Sequence, residues 1–147
     1  MKTVHLIVGV LSIVLVTGAG LWGAWCWYRV RNSRLFWLLM RAGQAVVVVQ
    51  VALGGVLLVI GYKEPSLHLI YGLLPLAVSF VGEQLRLGAA QAVLDSRGFD
   101  SSAAVAELPA EEQRLVVIAI MQREIGVMAL AAIVMAVVLF RAAGTAG

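Results

Sequence analysis

The sequence predicts an all-α integral membrane protein, a four-helix bundle of up-down topology. Three observations predict it. Hydrophobic residues make up 62% of the 147 positions, and mean hydropathy is +0.98, whereas a soluble domain is about 45–50% apolar. Four apolar segments each reach the roughly 20 helical residues that a bilayer crossing needs. Short polar breaks rich in turn-forming or basic residues separate them. The length suits one domain over 1–147.

The first span is expected over 4–28. Lys2, the apolar run and Thr17-Gly18-Ala19-Gly20 also fit a cleaved signal peptide. The apolar character continues past Gly20, however, and ends in Trp22, Trp25, Trp27 and Tyr28 before Arg29, as an interfacial belt closes a span. The second span is expected over 36–62. Lys63-Glu64-Pro65-Ser66 then places a proline and a possible N-cap serine before the third span, expected over 67–90. That helix is apolar to Val81 and more polar toward Leu94. Residues 95–110, rich in Ser, Asp and Gly, read as one long loop. Pro109 with Glu111 and Glu112 marks a helix start, acids near the positive dipole end. The fourth span is expected over 121–141.

Arginine and lysine set the expected orientation. Eight of the eleven, namely Arg29, Arg31, Arg34, Arg41, Arg86, Arg97, Arg114 and Arg123, fall on one side. Lys2, Lys63 and Arg141 fall on the other. Both termini and the Lys63 turn are thus expected outside, with the long loop cytoplasmic, in a multi-pass protein of the cell membrane. The basic residues are scattered and net charge is only +3, so no nucleic-acid face is expected. Cys26 is the sole cysteine, which excludes an internal disulfide and CxxC chemistry.

The two histidines stand in nearly the same phrase, HLIVGVL at 5–11 and HLIYGLL at 68–74. His5 opens the first helix and His68 the third, both entering from the same side. Each has glycine four positions on, Gly9 and Gly72, on the same helix face. A planar macrocycle suits that pattern: a nitrogen ligand, then a residue without side chain where the ring edge nears the backbone. The first and third helices are diagonal in an up-down bundle, so the two ligands can meet across its axis. Interfacial wetting of a helix-end histidine and glycine-mediated packing are the ordinary explanations of the same residues. Ionisable groups inside a membrane are nonetheless functional candidates by default.

The stretch from Gln50 to Leu74, QVALGGVLLVIGYKEPSLHLIYGLL, resembles the haem A synthase family. The resemblance lies in the Q-x-x-L-G-G run of Gln50, Leu53, Gly54 and Gly55, a short turn, and His68 opening the next helix. It extends over about residues 4–90 and corresponds to a single four-helix half of that family. It implies histidine ligands on the first and third helices, here His5 and His68, holding the iron of a haem b. Electron transfer, or haem processing in oxidase assembly, is the implied role. Met1 stands where the family's substrate half has an acid, and His5-Leu6 where it commonly has His-Arg. The implication is therefore haem binding rather than oxidation of a haem methyl group.

A bis-histidine haem would draw on more of the chain. Gln50 is a candidate partner for an imidazole nitrogen, Gly54 and Gly55 would give the macrocycle room, and Lys63 is among three cations available to propionates. The missing half, with small residues at Gly18, Gly23 and Ala24, suggests a homodimer or an assembly partner in a respiratory chain. The alternative is a haem-free membrane subunit or scaffold working through protein contacts. Glu83, about 22 Å deeper than His68, is expected to snorkel; Arg41 and Gln44 are expected to meet lipid headgroups. Met121, Met128 and Met135 repeat every seven residues, a packing stripe. Zinc-ligand spacing, a P-loop, GxSxG and an acidic calcium loop are lacking.

Overall fold

A computed structural model describes residues 1–63 and 65–145; Glu64 of the expected turn lies outside the described residues. The chain forms α1 (Lys2–Tyr28), α2 (Arg34–Val59), α3 (Ser66–Ser96), a one-turn α4 (Ser102–Ala106) and α5 (Ala110–Gly144). No strand occurs among the described residues, and α1, α2, α3 and α5 are each long and apolar enough to span a bilayer. Helices α3 and α5 outrun the expected spans, whereas α2 stops at Val59, short of the expected Tyr62. At about 1.5 Å per residue, the 31 residues of α3 and 35 of α5 exceed a hydrocarbon core of about 30 Å. Their surplus forms a hairpin at the loop end. There Leu94, Val105 and Val116 bury one another beside Phe99, Leu108 and Ile120, so part of the expected loop is a small packed cap over which α4 folds.

The helix ends follow from local chemistry. The Ser33 hydroxyl accepts the Phe36 N–H at 3.3 Å and caps α2. Ser66, expected as a cap, is instead the first helical residue after Pro65, where proline's fixed φ suits the entry into the helix. Three helices close by the same six-residue hydrogen bond: Arg31 N to Cys26 O, Tyr62 N to Leu57 O and Phe99 N to Leu94 O. That closure needs a left-handed residue. Gly61 and Gly98 supply it at φ 91° and 75°, while Val30 adopts φ 52°, a position disfavoured for a β-branched side chain.

Around the bundle the order is α2, α1, α5, α3, so α1 and α3 are diagonal, as expected. The α2–α3 seam is by far the least packed of the four. Helix α5 is central. Half of its most apolar stretch is buried, and Met128, Ala132 and Met135 are fully enclosed with Val16, Phe36 and Met40. The methionine stripe thus packs, and Met121 lies against the same cluster. Close helix approach requires Gly20 and Gly23 of α1. A Cβ on Gly23 would collide with the Phe36 ring and lie 2.9 Å from the Ala129 Cβ. Gly23 is therefore an internal packing position rather than a free surface for a second chain. Gly18 faces open space.

Candidate functional site

All four long helices bring a residue to the end of the bundle that carries both termini. His5 comes from the first turns of α1 and His68 from the first turn of α3. Their ring centres are 6.1 Å apart with planes inclined at 65°. From α2, the Gln50 Nε2 lies 3.2 Å from the His5 Nε2. Where the amide donates, that nitrogen is the acceptor and the His5 proton lies on Nδ1. From α5, the Ala142 carbonyl accepts the His68 Nδ1–H at 2.9 Å. That leaves the His68 Nε2 lone pair without a hydrogen bond among the described residues. A backbone carbonyl on one nitrogen and a lone pair on the other is the arrangement that orients metal-ligating imidazoles.

The glycines divide in two. Gly54 abuts the imidazole, a Cβ there lying 3.4 Å from the His5 Cε1. At Gly9 the expected gap is filled by the Gln50 carboxamide, 2.9 Å from a Cβ position. Gly55 and Gly72 face open space. Pro75, buried inside α3, has no N–H for the Tyr71 carbonyl and so loosens the helix directly beneath His68. Two of the three expected cations sit on tyrosines at this end: the Lys2 Nζ is 4.1 Å from the Tyr62 ring centre and the Arg141 Cζ 5.6 Å from that of Tyr71. Lys63 is exposed in the turn.

These positions fit a bis-histidine iron in two respects. The ring centres, 6.1 Å apart, are near enough for both imidazoles to reach one ion through metal–nitrogen bonds of about 2 Å. The Gln50 Oε1 is buried without a hydrogen bond among the described residues, so the site holds an unmet polar demand. One feature opposes entry: the His5 lone pair that would take a metal is the one Gln50 engages. Rotation of the Gln50 side chain would release it and clear the space at Gly9.

A second constellation, at the loop end, escaped the sequence reading. Glu83 on α3 receives Arg41 of α2 on both carboxylate oxygens and the Arg86 Nε at 3.0 Å. Gln44 donates to Glu83 at 2.9 Å and to the Ser79 Oγ at 3.0 Å, and Arg86 reaches Glu124 of α5 at 3.6 Å. Glu83 therefore joins α2 to α3 and, through Arg86, to Glu124 of α5. The available signal was charge balance, two arginines and two glutamates in or beside apolar spans, where unpaired charge is costly.

Fold and site define a multi-pass helical membrane protein with a histidine pair inside one end of its bundle. No protein-family model matches the chain, and neither a curated protein nor a solved structure matches it.

Proposed function

We propose that the chain is a membrane haem b-binding protein, in which His5 and His68 would hold the iron, acting in electron transfer or in haem processing for oxidase assembly. The observation that carries this is the pairing itself. The chain's two histidines, 63 positions apart, meet at a ring separation of 6.1 Å. Gly72 and Gly55 have no atom within 4 Å of a Cβ position. The resemblance to one half of haem A synthase supports the same ligand pair. A haem bound there would supply one-electron transfer. The protein's own groups do the rest: Ala142 orients His68, Gly54 seats His5, and Lys2, Lys63 and Arg141 offer positive charge to propionates. The test is an absorption spectrum of protein purified from haem-sufficient cells, oxidised and then dithionite-reduced. Sharp low-spin b bands are expected; a preparation that stays colourless after haem addition rejects the proposal.

The Gln50–His5 hydrogen bond favours a second reading, a haem-free subunit in which these polar groups lock α1 to α2. The colourless outcome would select it.

The reading places both termini and Lys63 outside the cell membrane and the α3–α5 hairpin in the cytoplasm, on the eight-to-three bias in basic residues. Cys26 is 1% exposed, so thiol labelling has little background. Lys63→Cys is expected to react with an impermeant maleimide on intact cells and Ser102→Cys only after lysis; the reverse order would invert the topology.

A homodimer restoring an eight-helix arrangement belongs to the same proposal, with open space at Gly18 as its contact. Crosslinking at Gly18→Cys in native membranes is expected to yield a dimer band, and monomer throughout would remove this part.

A further inference from the structure

The α2–α3 seam holds a groove of about 680 Å³ that no part of the haem reading uses. Its walls are apolar along α3, from Leu73 through Leu76 and Ala77 to Phe80, and polar at the loop end, with Arg41 and Gln44 from α2 and Ser79 and Glu83 from α3. At 1.5 Å per residue, Leu73 to Phe80 is a slot of about 10 Å along the helix. It runs beside the membrane's apolar layer and ends in a guanidinium.

We propose that this groove binds one anionic glycerophospholipid, its phosphate on Arg41 and an acyl chain along Leu73–Phe80. The donor geometry of Arg41 carries the assignment. Its Nη1 donates to Gln44 and Glu83, and its Nη2 to Glu83. The end-on fork is thus consumed, while the side edge of Nε and the remaining Nη2 hydrogen bonds to nothing among the described residues. That edge is a second two-donor fork of the spacing that binds phosphate oxygens, and the Arg41 side chain is 50% exposed. Glu83 divides its charge between Arg41 and Arg86, so Arg41 is incompletely neutralised. Arg29, Arg31 and Arg34 stand at the same end, with no ion pair among the described residues. A belt of this sign selects a net-negative headgroup over a zwitterionic one. The packing supplies the apolar half: α2 and α3 are joined at the turn and again by Arg41–Glu83, and between these ties they scarcely touch.

The test counts lipids retained by the full chain, using native mass spectrometry from detergent with dioleoyl phosphatidylglycerol or dioleoyl phosphatidylcholine added. One phosphatidylglycerol per chain is expected, with at least tenfold preference over phosphatidylcholine. Arg41→Lys keeps the charge but loses the side fork and is expected to lower that affinity about tenfold. Arg34→Gln, which changes charge at the same end without touching the groove, should not. Ala77→Trp, on the groove's open face, should expel the lipid and leave the Arg41–Glu83 tie in place. Equal retention of the two lipids would overturn the proposal. So would indifference to both Arg41→Lys and Ala77→Trp, or displacement by millimolar inorganic phosphate, which would mark a free-anion site.

Discussion

On the proposed haem binding, His68→Ala and His5→Ala are each expected to abolish the low-spin b spectrum. Each removes one imidazole lone pair, and the chain has no third histidine to replace it. The five-coordinate product would be high spin or would lose haem during purification. Two further substitutions separate ligand loss from general damage. Gly72 faces open space, so Gly72→Leu is tolerated by the helix but fills the region one turn below His68. Haem loss without loss of fold is the expected result. Gln50→Leu removes the group that competes for the His5 lone pair, so the bis-histidine spectrum should persist or strengthen. The haem-free reading expects the opposite pattern. There, Gln50→Leu breaks an interhelical bond worth about 1 kcal/mol, Gly72→Leu changes little, and no variant alters a chromophore. Retention of low-spin bands in both alanine variants would dismiss the two histidines as ligands.

Much of this architecture was legible because its causes are local. Hydropathy and length mark four spans without reference to tertiary structure, and the shared HxxxG phrase placed His5 and His68 on helices entering from one end. Diagonal placement of α1 and α3 then followed from short connections. What the sequence concealed depends on neighbours several helices away. The Gln50 carboxamide fills the space at Gly9 because α2 rises past the start of α1, a register that no spacing encodes. The Ala142 carbonyl that orients His68 is a backbone atom and leaves no trace in residue identity. Gly23 read as a surface for a second copy, although the Phe36 ring occupies it from within. Arg41, Gln44 and Glu83 each had a plausible lipid-facing fate when read singly, and only their juxtaposition shows one network. The open α2–α3 seam is likewise a property of packing rather than of either helix.

Glu83→Ala is expected to be the most destabilising substitution at the loop end. The carboxylate accepts hydrogen bonds from Arg41, Gln44 and Arg86, and its side chain is 23% exposed. Removing it strands two guanidiniums that Glu124, 3.6 Å from Arg86 alone, does not compensate. The pair is only partly withdrawn from water, so the loss falls below the roughly 3–5 kcal/mol of a fully buried one. Arg41, half exposed, can turn toward headgroup water, which places the expected loss at about 1.5–3 kcal/mol, the worth of hydrogen bonds to a charged group. Glu83→Gln keeps the hydrogen-bonding shape without the charge and should lose less. The double variant Glu83→Leu with Arg41→Leu should recover a large part of the loss, since apolar replacement of both partners is often neutral. Arg86 then retains Glu124. Denaturant unfolding in mixed micelles measures all three, and the cycle isolates the pair's coupling. A loss below about 0.5 kcal/mol for Glu83→Ala would mean that water, not protein, solvates these charges, and that the three helices are held at this end by α5 packing rather than by the Glu83 carboxylate.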